Sequence, residues 1–201
     1  MMDATGSADG RIAGYDFGTS ASARSPLTFE ELSHLEQTVG WTRDDEQLLR
    51  KHAELFRSQA EEMVGSWRAV IGAQPHLSQW FVGPDGMPDE EYKARVKPRF
   101  VQWVVDVATR PHDRAWLDYQ EEIGLRHTPA KKNRTDGRHT PPLVPMRYLL
   151  AFVPVVTDIR RFLSAGIADA AELEAVGRAW AKAVHLHVTL WCRPYAREGL
   201  W

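Results

Sequence analysis

Cysteine is almost absent from this chain: Cys192 is the only one in 201 residues. That excludes an intramolecular disulfide framework and a cysteine-based metal cluster, and it fits a reducing compartment. Long apolar runs are missing too. None approaches the roughly 20 residues that a membrane-spanning helix needs. The N-terminal stretch MMDATGSADGRIAGYDFGTSASARSP lacks a basic segment followed by an apolar one. It does not read as a secretory signal, and a cytoplasmic location is expected. There is no excess of one charge, since 25 Lys and Arg face 27 Asp and Glu for a net charge of −2. Non-specific nucleic-acid binding is therefore disfavoured. HExxH, paired Cys/His zinc spacings, GxGxxG, GxxxxGK[ST] and GxSxG are all absent, which removes the commonest zinc, nucleotide and hydrolase signatures.

Helical periodicity is abundant. TFEE at Thr28–Glu31 is a capping box and opens a short helix ending near Gly40. TRDD at Thr42–Asp45 repeats the device, and the pattern after it predicts one helix to about Ile71, with Gly65 as a close approach or bend. Pro88 reads as a first-turn proline of a helix whose apolar stripe is Tyr92, Val96, Phe100, Val104 and Val107, and Pro98 predicts a kink in it. A further helix spans about Asp113 to Arg126. After a Pro/Gly loop, an apolar segment covers Leu143–Leu163 with a kink predicted at Pro154. Asp169 and Glu172 form a capping pair for the last helix. No alternating strand pattern stands out. The expectation is an all-α chain with residues 1–25 as a flexible arm and residues 26–201 as a single domain. Eight tryptophans either fill the core or line a cavity for a flat organic cofactor.

Among the histidines, His127 stands out. Trp116, Tyr119, Ile123 and His127 are spaced three, four and four apart and share one helix face. The imidazole thus extends an apolar stripe. Three roles stay open for it: a core residue, a C-terminal cap, or a ligand to an iron porphyrin. His185 and His187 lie on different faces, and His76 reads as a cap. The basic run AKKNR (130–134) reads as a solvated surface or as a holder of a phosphate or carboxylate.

The stretch DRAWLDYQEEIGLRHTPAKKNRTDG resembles the proximal helix and following loop of the protoglobins. IAGYDFG, SWRAVIGAQPHL, FVGPDGMPDEEY, PRFVQWVVD, RYLLAF and LWCRPYAREGLW have counterparts in the same order. The resemblance implies a globin-like helical sandwich with an extra N-terminal helix and an extended arm. It implies haem b, with His127 as the proximal iron ligand. Trp67, Arg68 and Phe100 fall at distal ligand-pocket positions. Phe152 matches an aromatic against the macrocycle. Val96, Arg99, Tyr119, Ile123 and Leu149 complete the implied cofactor-binding set. A homodimer through the last two long helices is also implied.

One position departs from the family pattern. Arg68 stands where a tyrosine usually follows the distal tryptophan. A guanidinium is always charged and needs a partner or solvent. It could donate to a bound ligand, pair with a propionate, or turn outward. The resulting expectation is reversible binding of O2, CO or NO at a five-coordinate iron. The alternatives are a haem enzyme (nitrite or nitric-oxide chemistry, peroxidase-like turnover or carbene transfer) and a gas sensor acting through a separate partner.

Overall fold

The computed structural model describes residues 11–197 and 199–201. The start of the N-terminal arm, residues 1–10, lies outside the described residues. Helices dominate: α1 (Phe29–Val39), α2 (Arg43–Lys51), α3 (Ala53–Gly72), α4 (Pro75–Ser78), α5 (Glu90–Thr109), α6 (Arg114–Leu125), α7 (Met146–Thr157), α8 (Arg160–Leu163) and α9 (Ala170–Cys192). Single 3-10 turns follow α4 and α9. Among the described residues no strand forms, only an isolated bridge between Val82 and Pro88.

The helix starts follow the capping chemistry. Thr28 accepts from Glu31 N, and Glu31 returns to Thr28 N at 2.8 Å. Thr42 and Asp45 do the same for α2. Gly40 ends α1 at φ +69°, a backbone conformation that glycine adopts freely.

Five expectations need correction. The helix after Thr42 is interrupted at His52, whose ring turns across to Glu172 Oε1 at 2.9 Å. Glu172 also binds Lys51, so it ties α9 to α2 rather than closing a capping box; Asp169 alone caps α9. Pro88 stands outside α5, which Asp89 caps by accepting from Tyr92 N at 2.9 Å. The apolar segment breaks at Asp158–Ile159, four residues beyond Pro154, which stays inside α7. At that break the Val156 carbonyl is taken up by the Trp180 indole N–H at 2.8 Å. A buried carbonyl freed by a helix end needs such a donor. Gly65 marks neither a bend nor a close approach: α3 runs through it, and a Cβ there would meet nothing within 4 Å.

Two apolar clusters form the core. The larger joins Phe56, Met63, Trp67, Val104, Phe162 and Trp180 with their neighbours on α3, α5, α7 and α9. The smaller gathers Leu27, Leu32, Trp116, Leu117, Leu186 and Leu190 between α1, α6 and α9. The α6–α9 crossing depends on Gly124. A Cβ there would lie 2.9 Å from the Trp191 carbonyl oxygen and 3.1 Å from Trp191 Cα. The neighbours are backbone and cannot yield cheaply.

The described part of the arm, from residue 11, is tied down by polar contacts. Arg126 donates to Gly14 O at 2.5 Å and to Asp16 at 2.7 Å. Tyr15 donates to Asp106 at 2.6 Å, and Ala23 N donates to Glu122 at 2.8 Å. Burial alone would raise the Glu122 carboxyl. Lys131, the Ala23 N–H and Arg126 outweigh it and hold the group below the usual carboxylate range.

Two glycine substitutions are expected to act in opposite directions. Gly124→Ala should destabilise the fold by about 1–2 kcal/mol, because backbone overlap outweighs the helix-propensity gain. Gly177→Ala in α9, where a Cβ meets nothing within 4 Å, should stabilise by up to about 1 kcal/mol. Denaturant unfolding of the two variants checks the signs.

Candidate functional site

A cavity of about 660 Å3 opens between α3, α5, α6, α7 and the end of α9. That lies within the range of small-molecule and cofactor sites, about 300–1,000 Å3. Its walls are mostly apolar. Val96 and Phe100 come from α5, Leu149 and Phe152 from α7, and Tyr119 and Ile123 from α6. Gly65 also faces it, and the missing side chain leaves that part of the wall open.

His127 lines the cavity just beyond the C-terminus of α6. Its Nδ1 is 2.9 Å from Ile123 O. A carbonyl only accepts, so Nδ1 carries the proton and the lone pair is on Nε2. Nε2 has no hydrogen-bond partner among the described residues. Burial lowers the imidazole pKa, and Lys132 and Arg126 add to this against the Ile123 carbonyl. The ring is therefore neutral near pH 7. The backbone is held as well, because the His127 carbonyl accepts from Val144 N at 2.9 Å and from the Tyr195 hydroxyl at 3.2 Å. Trp191 stacks beside the ring with centroids 6.0 Å apart and planes 19° apart.

One edge of the cavity is polar. Arg99 forms a forked pair with Asp136 at 2.9 and 2.6 Å and also donates to Ala13 O. Lys132 donates to Trp80 O at 2.8 Å and to the Thr140 hydroxyl at 2.6 Å, and its ammonium lies 4.9 Å from the Tyr92 ring centroid. Burial pushes its pKa down to about 8. Arg68 donates to Lys93 O at 2.9 Å. Burial lowers the Arg68 pKa, partly offset by Glu90 and Glu61. Neither Lys132 nor Arg68 has a carboxylate hydrogen-bonded to it, and both reach the first turns of α5, at Tyr92 and Lys93.

Of the residues singled out from the sequence, His127, Arg68, Val96, Arg99, Phe100, Tyr119, Ile123, Leu149 and Phe152 all line this one cavity. Trp67 is not among the lining residues. It is buried behind the wall against Phe100, Trp103 and Trp180, with its indole N–H unpartnered. Trp116, though in register with His127, belongs to the smaller core cluster. His76 caps nothing; its ring lies near Tyr148. The run 130–134 is a solvated surface only in part: Ala130 and Arg134 are exposed, whereas Lys131 binds Glu122, Lys132 is buried, and Asn133 bonds Thr140. Sequence reasoning missed Lys132, because nothing in its neighbours' spacing marks it as inward. Tyr92, Trp103 and Trp191 also line the cavity; Tyr92 shares the helical stripe of Val96 and Phe100, and the excess of tryptophan was the only signal for the other two. No cluster of three or more His, Cys, Asp or Glu that could hold a metal ion occurs among the described residues.

The cavity therefore has one neutral histidine nitrogen facing inward, flat apolar walls, and an edge with two cations not bonded to any carboxylate. This donor set suits a planar, acidic, metal-bearing cofactor. A solved structure described as the globin domain of a Geobacter sulfurreducens globin-coupled sensor aligns with a TM-score of 0.65 at 16% identity. The alignment covers 85% of this chain and 99% of that one, and it shows a shared globin fold. No curated protein matches the sequence. The family model named Protoglobin matches residues 28–201, most of the chain, and the chain belongs to the protoglobin family of haem-binding globins.

Proposed function

We propose that the cavity would hold haem b, with Nε2 of His127 as the iron ligand, and that the protein binds O2, CO or NO reversibly. The supporting observation is the His127 imidazole: neutral, with Nδ1–H committed to Ile123 O and Nε2 free at the cavity. That is the protonation state a metal ligand needs, and the carbonyl behind it fixes the ring. The bound group would supply an iron centre with an exchangeable coordination position. The chain supplies the rest. Phe100, Val96, Leu149 and Phe152 exclude water from the ring faces. Lys132 and Arg68 hold the two carboxylates, each gaining the anionic partner that it lacks in the protein alone.

Arg68, clipped to Lys93 O, then serves the cofactor's edge more readily than a bound gas. The gas site is left dominated by apolar side chains.

We also place a homodimer contact at α7. Its outer face exposes Met146 and Leu150, continuing from Leu143. The apolar residues of α9 from Val176 to Leu190 are largely buried within the protomer, so the exposed apolar side chains for such a contact come mainly from α7.

Three outcomes test this reading. His127→Ala should lose most of its haem on purification; a histidine-ligated ferrous absorbance spectrum persisting in that variant would refute the ligand. Lys132→Met should speed haem transfer to an apoglobin acceptor by about tenfold, the loss of one charge-assisted bond of about 1.5 kcal/mol. The wild-type rate should rise toward it on the alkaline side, where Lys132 gives up its proton, while the variant stays flat. Leu150→Arg should convert the dimer to monomer in light scattering with an unchanged absorbance spectrum.

A further inference from the structure

Aromatic rings run without interruption from the cavity to the protein surface. Trp103 lines the cavity. Its ring centroid is 5.9 Å from that of His187, and its indole N–H donates to His187 Nδ1 at 2.9 Å. His187 lies 5.3 Å from Trp116. Trp116 stacks on His112 at 3.9 Å, and His112 stacks on Trp41 at 5.1 Å, both with planes 24° apart. Trp41 is partly exposed, in a surface depression shared with Glu36, Thr42 and Glu46. The Glu36 carboxylate holds His112 Nδ1 at 2.6 Å.

Packing alone does not account for this series. His187 is fully buried among indoles, and its Nε2 has no hydrogen-bond partner. Leaving a buried donor unpaired costs about 1–3 kcal/mol, which an apolar residue of similar size would avoid. What the imidazole adds is an acceptor for the Trp103 N–H. His112 likewise fills the space between two indoles with another flat ring.

We propose that Trp103, Trp116 and Trp41, bridged by His187 and His112, form an electron relay that carries oxidising equivalents from the cavity to a surface site where Trp41 oxidises small phenols. The proposal rests on the haem reading above. Hydrogen peroxide admitted to the cavity takes up two electrons and two protons to become two waters. Those electrons are drawn along the relay one at a time. At Trp41 they come from two phenol molecules, each losing one electron and one proton to give a phenoxyl radical. Without a phenol, Trp41 itself gives both electrons, gains one oxygen from water and releases two protons.

The hydrogen bond at the cavity end gives the first step its proton acceptor. As Trp103 loses an electron, its N–H proton shifts to His187 Nδ1, and it returns when the hole moves on. Burial opposes creating charge on His187, but this shift relocates a charge that is already present. The competing phenol route is less well provided. Tyr119 lines the cavity and sits 5.2 Å from Tyr15, yet its hydroxyl has no hydrogen-bond partner among the described residues to take its proton.

The test uses the full chain loaded with haem, treated anaerobically with hydrogen peroxide, then digested and mapped by mass spectrometry for single added oxygens. Absorbance records the haem content of every sample. Trp41 should be oxidised in the wild type, and in Trp116→Phe its oxidation should fall to the level of the haem-free protein. Trp116 is a core residue, so Trp41→Phe at the exposed end supplies a second variant; there oxidation should retreat to Trp116, and peroxide-driven guaiacol oxidation should fall with haem content unchanged. Undiminished Trp41 oxidation in a haem-replete Trp116→Phe would overturn the relay, as would added oxygen collecting at Tyr15 instead. A wild-type protein that takes up no haem would fail the haem reading, which the absorbance shows separately.

Discussion

The contact between His127 Nδ1 and Ile123 O organises this protein. It forms where α6 ends, and a helix end leaves carbonyls without their usual donors. Arg126 N reaches Ile123 O at 3.1 Å, and His127 N turns to Gly124 O. The imidazole supplies the remaining donor to Ile123. One hydrogen bond thus closes a helix, selects a tautomer and points a lone pair at the cavity. The neutrality of the ring comes from the same enclosure, since burial disfavours its charged form. Gly124 permits α9 to approach one turn earlier and brings Trp191 alongside the ring.

Around this point the structure divides its labour. The cavity walls are apolar and come from helix faces. The edge is built from long cations reaching in from α3, α5, α6 and the loop after α6. Two of those cations are paired with carboxylates within the chain: Arg99 with Asp136, and Arg126 with Asp16 and Glu122. Lys132 is buried with neutral acceptors alone. Retaining such a group at a depressed pKa is a stability burden that an anionic occupant would relieve.

Local chemistry was legible in the residues, and distant chemistry was not. Capping boxes at Thr28 and Thr42 placed two helix starts, because a cap is a contact over three residues. The face shared by Tyr119, Ile123 and His127 followed from helical period, yet Trp116 on the same stripe serves a different core, since a stripe about three turns long meets more than one neighbour. The interruption at His52 escaped notice because Glu172, which draws the ring aside, lies 120 residues away. The break after α7 could not be placed from Pro154, because the Trp180 indole that accommodates it comes from another helix. Lys132 read as part of a solvated basic run for the same reason: Trp80, which helps to enclose it, lies 52 residues away.

Arg99 and Arg126 each belong to two structures at once. Both line the cavity, and both hold carbonyls of the arm, at Ala13 and Gly14. Segment and cavity edge thus compete for, or cooperate through, the same two guanidinium groups. Linkage makes this reciprocal: whatever free energy the occupant gains from an ordered arm, the arm gains from the occupant. The described part of the arm is then a slow door as much as a tether, and residence time in the cavity is partly a property of a segment that carries none of the apolar wall.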